Sequence, residues 1–338
     1  MTATQPLLVV IAGTALTLIA VVASLTIGVI HVPMADVVHA LTGICGSGTA
    51  DSLGDNLVRN MRLPRAIGAV CVGAALGAAG CMLQALLRNP LASPTVIGTS
   101  QAAAFGKVLG VFIGIGYAGS IGVSFLAACG GALLVLALAR TRSGLPVLSV
   151  VLMGINMSLF FAALTGLMVF LSRDEDQLAR MALMLAGGLW RVSWGSLSII
   201  APATALACVA ALFFARALDI LALGEGDAKR LGLNAARTGT AVLLIACLAT
   251  SLAVSLAGVV AFVGLIVPHA ARRIVGHAHR VLLPACILLG ATLVVATDTL
   301  ARSIAPPHEL PLGVVTSLLG VPCFIIIVRS MQRRSGEA

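Results

Sequence analysis

The sequence predicts an all-α polytopic membrane protein with about ten transmembrane helices and both termini on the cytoplasmic side. Three observations carry this. Of the 338 residues, 59% are apolar and only 10% charged, against a usual charged share of about 25%, and no soluble domain of this size hides that much apolar surface. The apolar residues gather into uncharged runs of about 20 residues, the length that crosses a bilayer as a helix, while the alternation of a membrane β-barrel is missing. Arginine and lysine are also unevenly placed. With cytoplasmic termini the inner loops hold thirteen (Arg88, Arg140, Arg142, Arg216, Lys229, Arg230, Arg237, Arg272, Arg273, Arg280, Arg329, Arg333, Arg334). The outer loops hold seven (Arg59, Arg62, Arg65, Arg173, Arg180, Arg191, Arg302), and Lys107 lies within a span. That excess obeys the positive-inside rule, so the net charge of +9 reports topology rather than a nucleic-acid footprint.

Leu7–Ile30 is the first span. It lacks a basic leading region and its apolar core is longer than that of a signal peptide, so it is read as retained. His31–Asn60 is a polar, Gly-rich loop with a short helix possible after Pro33. Span two, Ala66–Leu87, follows Arg62 and Arg65 and is started by Pro64. Small residues (Gly73, Ala74, Ala75, Gly77, Ala78, Gly80) crowd its middle, which marks a helix packed among others rather than one facing lipid. It breaks at Arg88-Asn89-Pro90, and Pro90 with Pro94 fixes a turn, because helices tend to end before proline. Span three is Thr95–Ile115, span four Ile121–Ala139 and span five Leu148–Leu171. A charged segment, Ser172–Arg180, leads to Trp190 and Trp194, which suit an interfacial belt. Span six is Leu197–Arg216, followed by the long inner loop Asp219–Arg237. Span seven is Thr238–Ala257. Gly258–Val275, the eighth, reads as interrupted by Pro268. Val281–Thr297 and Leu312–Val328 complete the set. The eight cysteines, among them Cys45 in a loop, form no CxxC and read as small core residues.

No catalytic set is present. There is no HExxH, no GxSxG and no carboxylate pair inside a span, and Gly106-Lys107 lacks the upstream glycine of a phosphate-binding loop. His277 and His279 stand in a turn without a third metal ligand and read as solvated. Polar groups inside spans are the better signal, since each is costly in lipid and faces a cavity or a partner: Gln84 and Asn156 qualify, either as pathway residues or as helix–helix hydrogen bonds. Asp298 and Arg302 are spaced for a local ion pair. Arg62, Arg65 and Arg302 could together read carboxylates on a partner, since the guanidinium fork matches them; contact with lipid headgroups is the alternative. Within the inner loop, Leu221–Leu233 (LALGEGDAKRLGL) reads as a short helix between Gly224 and Gly232 with apolar leucines. Connectors are usually shorter, so this is a docking element or else a helix lying on lipid.

At this point the residues resemble a known family, the FecCD-like permease subunits of binding-protein-dependent ABC importers for iron–siderophores, haem and cobalamin. The resemblance rests on RLPR (Arg62–Arg65), GAALGAAGCMLQALLRNPLASPTVIG (Gly73–Gly98) and LALGEGDAKRLGL (Leu221–Leu233). It continues through GVVAFVGLIVPHAARRIVGHAHRVLLP (Gly258–Pro284) and TDTLARSIAPPHELPLGVVTSLLGVPCF (Thr297–Phe324), and so covers nearly all of the chain after span one. It implies a single permease domain over residues 1–338 with the type II importer fold, in the cytoplasmic (inner) membrane. Two such subunits, identical or paralogous, enclose the path; two ATPase subunits bind below, and a periplasmic or lipid-anchored binding protein caps the top. Arg62, Arg65 and Arg302 would meet glutamates of that protein. Leu223, Gly224, Glu225, Ala228, Leu231 and Gly232 would form the helix that couples to the ATPase, and Asn89 and Leu91 the cytoplasmic gate. Span five, with Asn156, would line the path. The family also implies an inverted repeat of spans two to five against seven to ten.

The expected function is therefore import of a metal chelate, driven by ATP hydrolysis in another chain, with no enzyme activity and no cofactor here. An iron–siderophore is the expected cargo, with haem and cobalamin as alternatives, since aromatics are only 4% of residues and no ring-stacking site is visible. A stand-alone secondary transporter is the rival class. It calls for buried ionisable residues, of which only Lys107 offers itself in the first eight spans.

Overall fold

The computed structural model describes residues 5–42, 53–94, 98–140 and 146–335. The described residues are helical and contain no strand. Cys45, Thr95–Ile97 and Arg142 lie outside them. The first helix, α1 (Gln5–Thr26), is followed by the short α2 (Met34–Thr42), the helix expected after Pro33. Then α3 (Leu53–Asn56) runs through a π-helical turn at Leu57–Arg62 into α4 (Leu63–Leu86). Pro64 sits in the first turn of α4, within the continuous helix Gly54–Leu86, where its ring removes one backbone donor at the junction of the π turn and α4.

Helix α4 is the centre of the molecule. It packs on α14 (His279–Ala301), α12 (Ala235–Ala257), α9 (Trp194–Phe213) and α13 (Val263–Val275), and nearly all of its residues are buried. Its glycines explain how. A Cβ on Gly73 would lie 2.1 Å from the Gly290 carbonyl oxygen, one on Gly77 2.2 Å from that of Cys286, and one on Gly80 1.9 Å from that of Gly264. Backbone therefore meets backbone along this stripe, the close approach that small residues permit between membrane helices.

Among the described residues, seven helices are long and apolar enough to cross a membrane: Leu7–Thr26, Gly54–Leu86, Gly116–Ala139, Leu148–Phe170, Trp194–Phe213, Ala235–Ala257 and His279–Ala301. The other three expected spans are shorter apolar helices. Of these, α5 (Thr99–Phe112) has 14 residues and α13 has 13, about 20 Å each at 1.5 Å per residue, which is less than the hydrocarbon core. The third, α15 (Leu312–Ser335), is apolar over Leu312–Ile326. Both short helices start at a left-handed residue, Gly98 (φ +83°) and Phe262 (φ +63°). In span order α4, α5, α6 (Gly116–Ala139) and α7 (Val147–Phe170) have 24, 14, 24 and 24 residues, and α12 to α15 have 23, 13, 23 and 24. The two runs of helices thus share the same order of long and short members.

One expected break is corrected. Span eight breaks not at Pro268 but at Gly258–Phe262, where the chain leaves α12 through Gly258 (φ +74°) and re-enters helix after Phe262. Pro268 lies inside α13; its ring removes the hydrogen bond to the carbonyl of Gly264, the same carbonyl that lies against Gly80. The charged segment Ser172–Arg180 is mostly helix: α8 (Glu175–Ala186) is capped by Asp174, whose Oδ1 accepts from the Gln177 N–H at 2.6 Å, an N-cap followed by two acidic residues in the first turn.

Candidate functional site

Three clusters gather the residues singled out in the sequence. At the predicted outer end, Arg62, Arg65, Arg191 and Arg302 border a cavity of about 280 Å³ together with Trp190 and Glu309. The arginines are brought together from the π turn, α4, the loop after α8 and the end of α14, but they do not form an open rim. Arg62 and Arg302 are buried, 6% and 5% exposed. Arg62 donates from Nη1 to the carbonyls of Leu25 (2.6 Å) and Thr26 (3.0 Å) and from Nη2 to that of Ile30. Arg302 donates from Nη2 to the carbonyl of Ser24. Two guanidinium groups thus cap the C-terminal carbonyls of α1, where positive charge is favoured by the helix dipole. Burial pushes the Arg302 pKa down to about 10, against the opposing pull of Asp298, so it stays protonated at neutral pH.

Arg65 is held differently. Its Nε and Nη2 donate to both oxygens of Asp298 at 2.8 and 3.0 Å, and Nη1 to both oxygens of Glu309 at 3.0 and 2.8 Å. Asp298 therefore pairs bidentately across helices with Arg65, and its expected local partner Arg302 stands 3.9 Å away. Glu309 escaped sequence reasoning because it lies 244 residues from Arg65, a separation that no local pattern bridges.

At the opposite end, α10 (Ala215–Leu223) leads through Gly224 (φ +116°) into α11 (Glu225–Arg230) and out through Gly232 (φ +78°). Both glycines adopt conformations that L side chains rarely take, so the expected short helix between them is found. Ala228 is buried, whereas Leu223 and Leu231 are 62% and 60% exposed. Next to this segment a cavity of about 520 Å³ is bordered by Gln84, Arg88, Asn89, Asp219, Arg272 and His279. Gln84 is buried; its Nε2 donates to the Leu265 carbonyl at 3.3 Å and its Oε1 accepts from Arg272 Nη1 at 2.5 Å. It is a crosslink between α4 and α13 beside the cavity. Asn89 Oδ1 accepts from the Leu91 N–H at 2.9 Å, an Asx turn that follows left-handed Arg88 (φ +47°) and leaves Leu91 exposed.

His279 is not solvated as expected. It is buried, and Asp219 Oδ1 receives both its ring Nδ1–H (2.7 Å) and its backbone N–H (2.9 Å), which ties the start of α14 to α10, the helix that leads into α11. Asn156 stands apart from both clusters. It is exposed on α7 and donates to the Leu152 carbonyl of its own helix at 2.8 Å. Lys107 is buried, and its Nζ reaches the Leu256 carbonyl at 3.2 Å, so it caps the last turn of α12 just before the break at Gly258.

A family model described as the FecCD transport family matches residues 16–330. The chain is 37% identical over 286 residues to the Fe(3+) dicitrate transport system permease protein FecC of Escherichia coli (strain K12), covering 83% of this chain and 86% of that one. It is 35% identical over 285 residues to the hemin transport system permease protein HmuU of Yersinia pestis, covering 82% and 84%. Among solved structures, an inward-facing conformation of a transporter described as metal-chelate type ABC superposes with a TM-score of 0.83 at 31% identity, covering 95% of this chain and 98% of that chain. The exposed helix between two glycines, the polar cavity beside it and the arginine cluster at the far end thus sit on a fold shared with such permeases, and the chain belongs to the FecCD transport family as an ABC-importer permease.

Proposed function

We propose that this chain is the membrane subunit of an importer that carries an iron–siderophore across the cytoplasmic membrane, paired with a second permease subunit, either an identical copy or a paralogue. It works with a separate ATPase and a periplasmic or lipid-anchored binding protein. The observation that carries the proposal is the Gly224–Gly232 segment: the six-residue helix α11 is flanked by Leu223 and Leu231, both exposed, an apolar pair at the surface that suits a contact with another protein. Asp219, four residues before Leu223, holds His279 at the start of α14. Movement of α11 by the ATPase would therefore pass to the gate turn at Asn89 and Leu91 and to the Gln84–Arg272 crosslink across the same cavity. Differential affinity of the ATPase for two such states drives alternating access.

At the other end Arg65 is the docking residue, with Arg62 and Arg302 holding α1 in place beside it. The path runs between the two permease subunits, where Asn156 on the exposed face of α7 would line it. Relatives are named for ferric dicitrate, for hemin and for cobalamin, all of them metal chelates, and within that class the small share of aromatic residues favours a siderophore over a ring-stacked haem or corrin. Reconstitution with the ATPase and the binding protein tests this. Leu223→Asp with Leu231→Asp is expected to abolish stimulated ATP hydrolysis and uptake while the permease stays folded; undiminished uptake would refute the coupling assignment. Uptake of radiolabelled iron–siderophore, against hemin and cobalamin as competitors, tests the cargo.

A further inference from the structure

At the end of the molecule that carries α11, a second cavity of about 520 Å³ opens between α6 and α12, away from the polar one. Arg140, Arg237, Leu133, Leu136 and Leu244 border it. Its layout follows the ends of two spanning helices. Arg140 is the residue that caps α6, and Arg237 lies in the first turn of α12, so both stand at the same membrane boundary. Leu136 and Leu133 lie one and two turns back along α6, and Leu244 two turns into α12. At 1.5 Å per residue the apolar wall reaches about 10 Å below the arginines. Arg140 and Arg237 are exposed and, among the described residues, neither is in an ion pair. No carboxylate is among the residues that border the cavity. The Thr240 hydroxyl is turned inward to the Ala236 carbonyl at 2.8 Å.

We propose that this cavity is a binding site for an anionic phospholipid, with the phosphate between Arg140 and Arg237 and one acyl chain along Leu133, Leu136 and Leu244. Two positive charges over a groove of hydrocarbon match a lipid whose headgroup carries net negative charge, and basic pockets between helices on the cytoplasmic side hold such headgroups. A zwitterionic lipid offers the same chain but brings its own cation to the arginines. The site touches α6 and α12, so an occupied site braces these two helices where the chain leaves α11.

The test uses the purified full-length permease in detergent, with phosphatidylglycerol and phosphatidylcholine of equal chain length as competing probes and retained lipid counted by native mass spectrometry. The wild type is expected to prefer phosphatidylglycerol. Arg140→Gln and Arg237→Gln are each expected to lower that preference about fivefold, and the double variant about 25-fold, as follows from about 1 kcal/mol per basic residue near an anionic surface. Arg280→Gln, an exposed arginine at the same end but outside the cavity, is expected to leave it unchanged. Arg140→Lys with Arg237→Lys, which keeps both charges, is expected to retain most of it and guards against loss through misfolding. Equal retention of the two lipids by the wild type overturns the proposal. So does a preference that survives the double Gln variant or falls equally with Arg280→Gln. Competition by glycerol phosphate as strong as that by the lipid would show a free-phosphate site and would also overturn it.

Discussion

Gly73→Ala adds one methyl group to α4 at its crossing with α14. The new carbon would sit 2.1 Å from the Gly290 carbonyl oxygen, 2.5 Å from its carbon and 2.7 Å from the Ala291 Cα. Ordinary contacts begin near 3.4 Å, so the two helices must part by more than an ångström. Overpacking costs about 1–3 kcal/mol where side chains can yield. Here every atom in the way is backbone, which puts the cost near the top of that range, about 3 kcal/mol. Alanine is the better helix former by about 1 kcal/mol, leaving a net loss of about 2 kcal/mol. Gly122→Ala on α6 is the matched control: glycine there is exposed, and nothing lies within 4 Å of its Cβ position, so only the propensity gain remains. The same chemical change should therefore act with opposite sign at the two positions, a spread of about 3 kcal/mol. A thiol-reactive dye follows unfolding in detergent, because Cys71, Cys81 and Cys286 are free and buried. If the Gly73→Ala protein melted at or above the temperature of Gly122→Ala, the backbone-contact account of α4 would be wrong.

Arg302→Gln removes the donor that caps the Ser24 carbonyl and should destabilise the α1 end by about 2 kcal/mol, the range for a hydrogen bond to a charged group. Limited proteolysis near Gly28 reads this out, and an unchanged cleavage rate would refute the clamp. Glu309→Gln weakens one of the two internal carboxylate pairs of Arg65 and, if Arg65 docks the binding protein, should tighten that complex severalfold; unchanged or weaker binding argues against Arg65 as the docking residue. Gln84→Leu leaves the Arg272 guanidinium without its buried acceptor and should lower stability by about 1–3 kcal/mol, measured as a fall in melting temperature. A variant as stable as wild type would show that the crosslink contributes nothing.

Much of the fold could be read without coordinates, because a bilayer demands long uncharged runs and punishes exceptions. The small-residue middle of α4, the short helix between Gly224 and Gly232 and the helix after Pro33 all rest on local patterns, and local patterns survive in sequence. The misplaced break in span eight has a different origin. Proline at position 268 looks like a breaker, yet membrane helices tolerate it where neighbours reorganise around the freed carbonyl, and Gly80 supplies such a neighbour.

Sequence alone determined the class, the order of the apolar segments, the family resemblance and which residues to watch. Tertiary structure alone decided what those residues do locally. Arg62 and Arg302 turned out to be caps on a helix 36 and 278 residues away, Arg65 acquired Glu309, and Gln84 acquired Arg272. A charge advertises itself in sequence, but its partner is chosen by packing across the bundle, and only the folded backbone says which carbonyl or carboxylate comes within 3 Å.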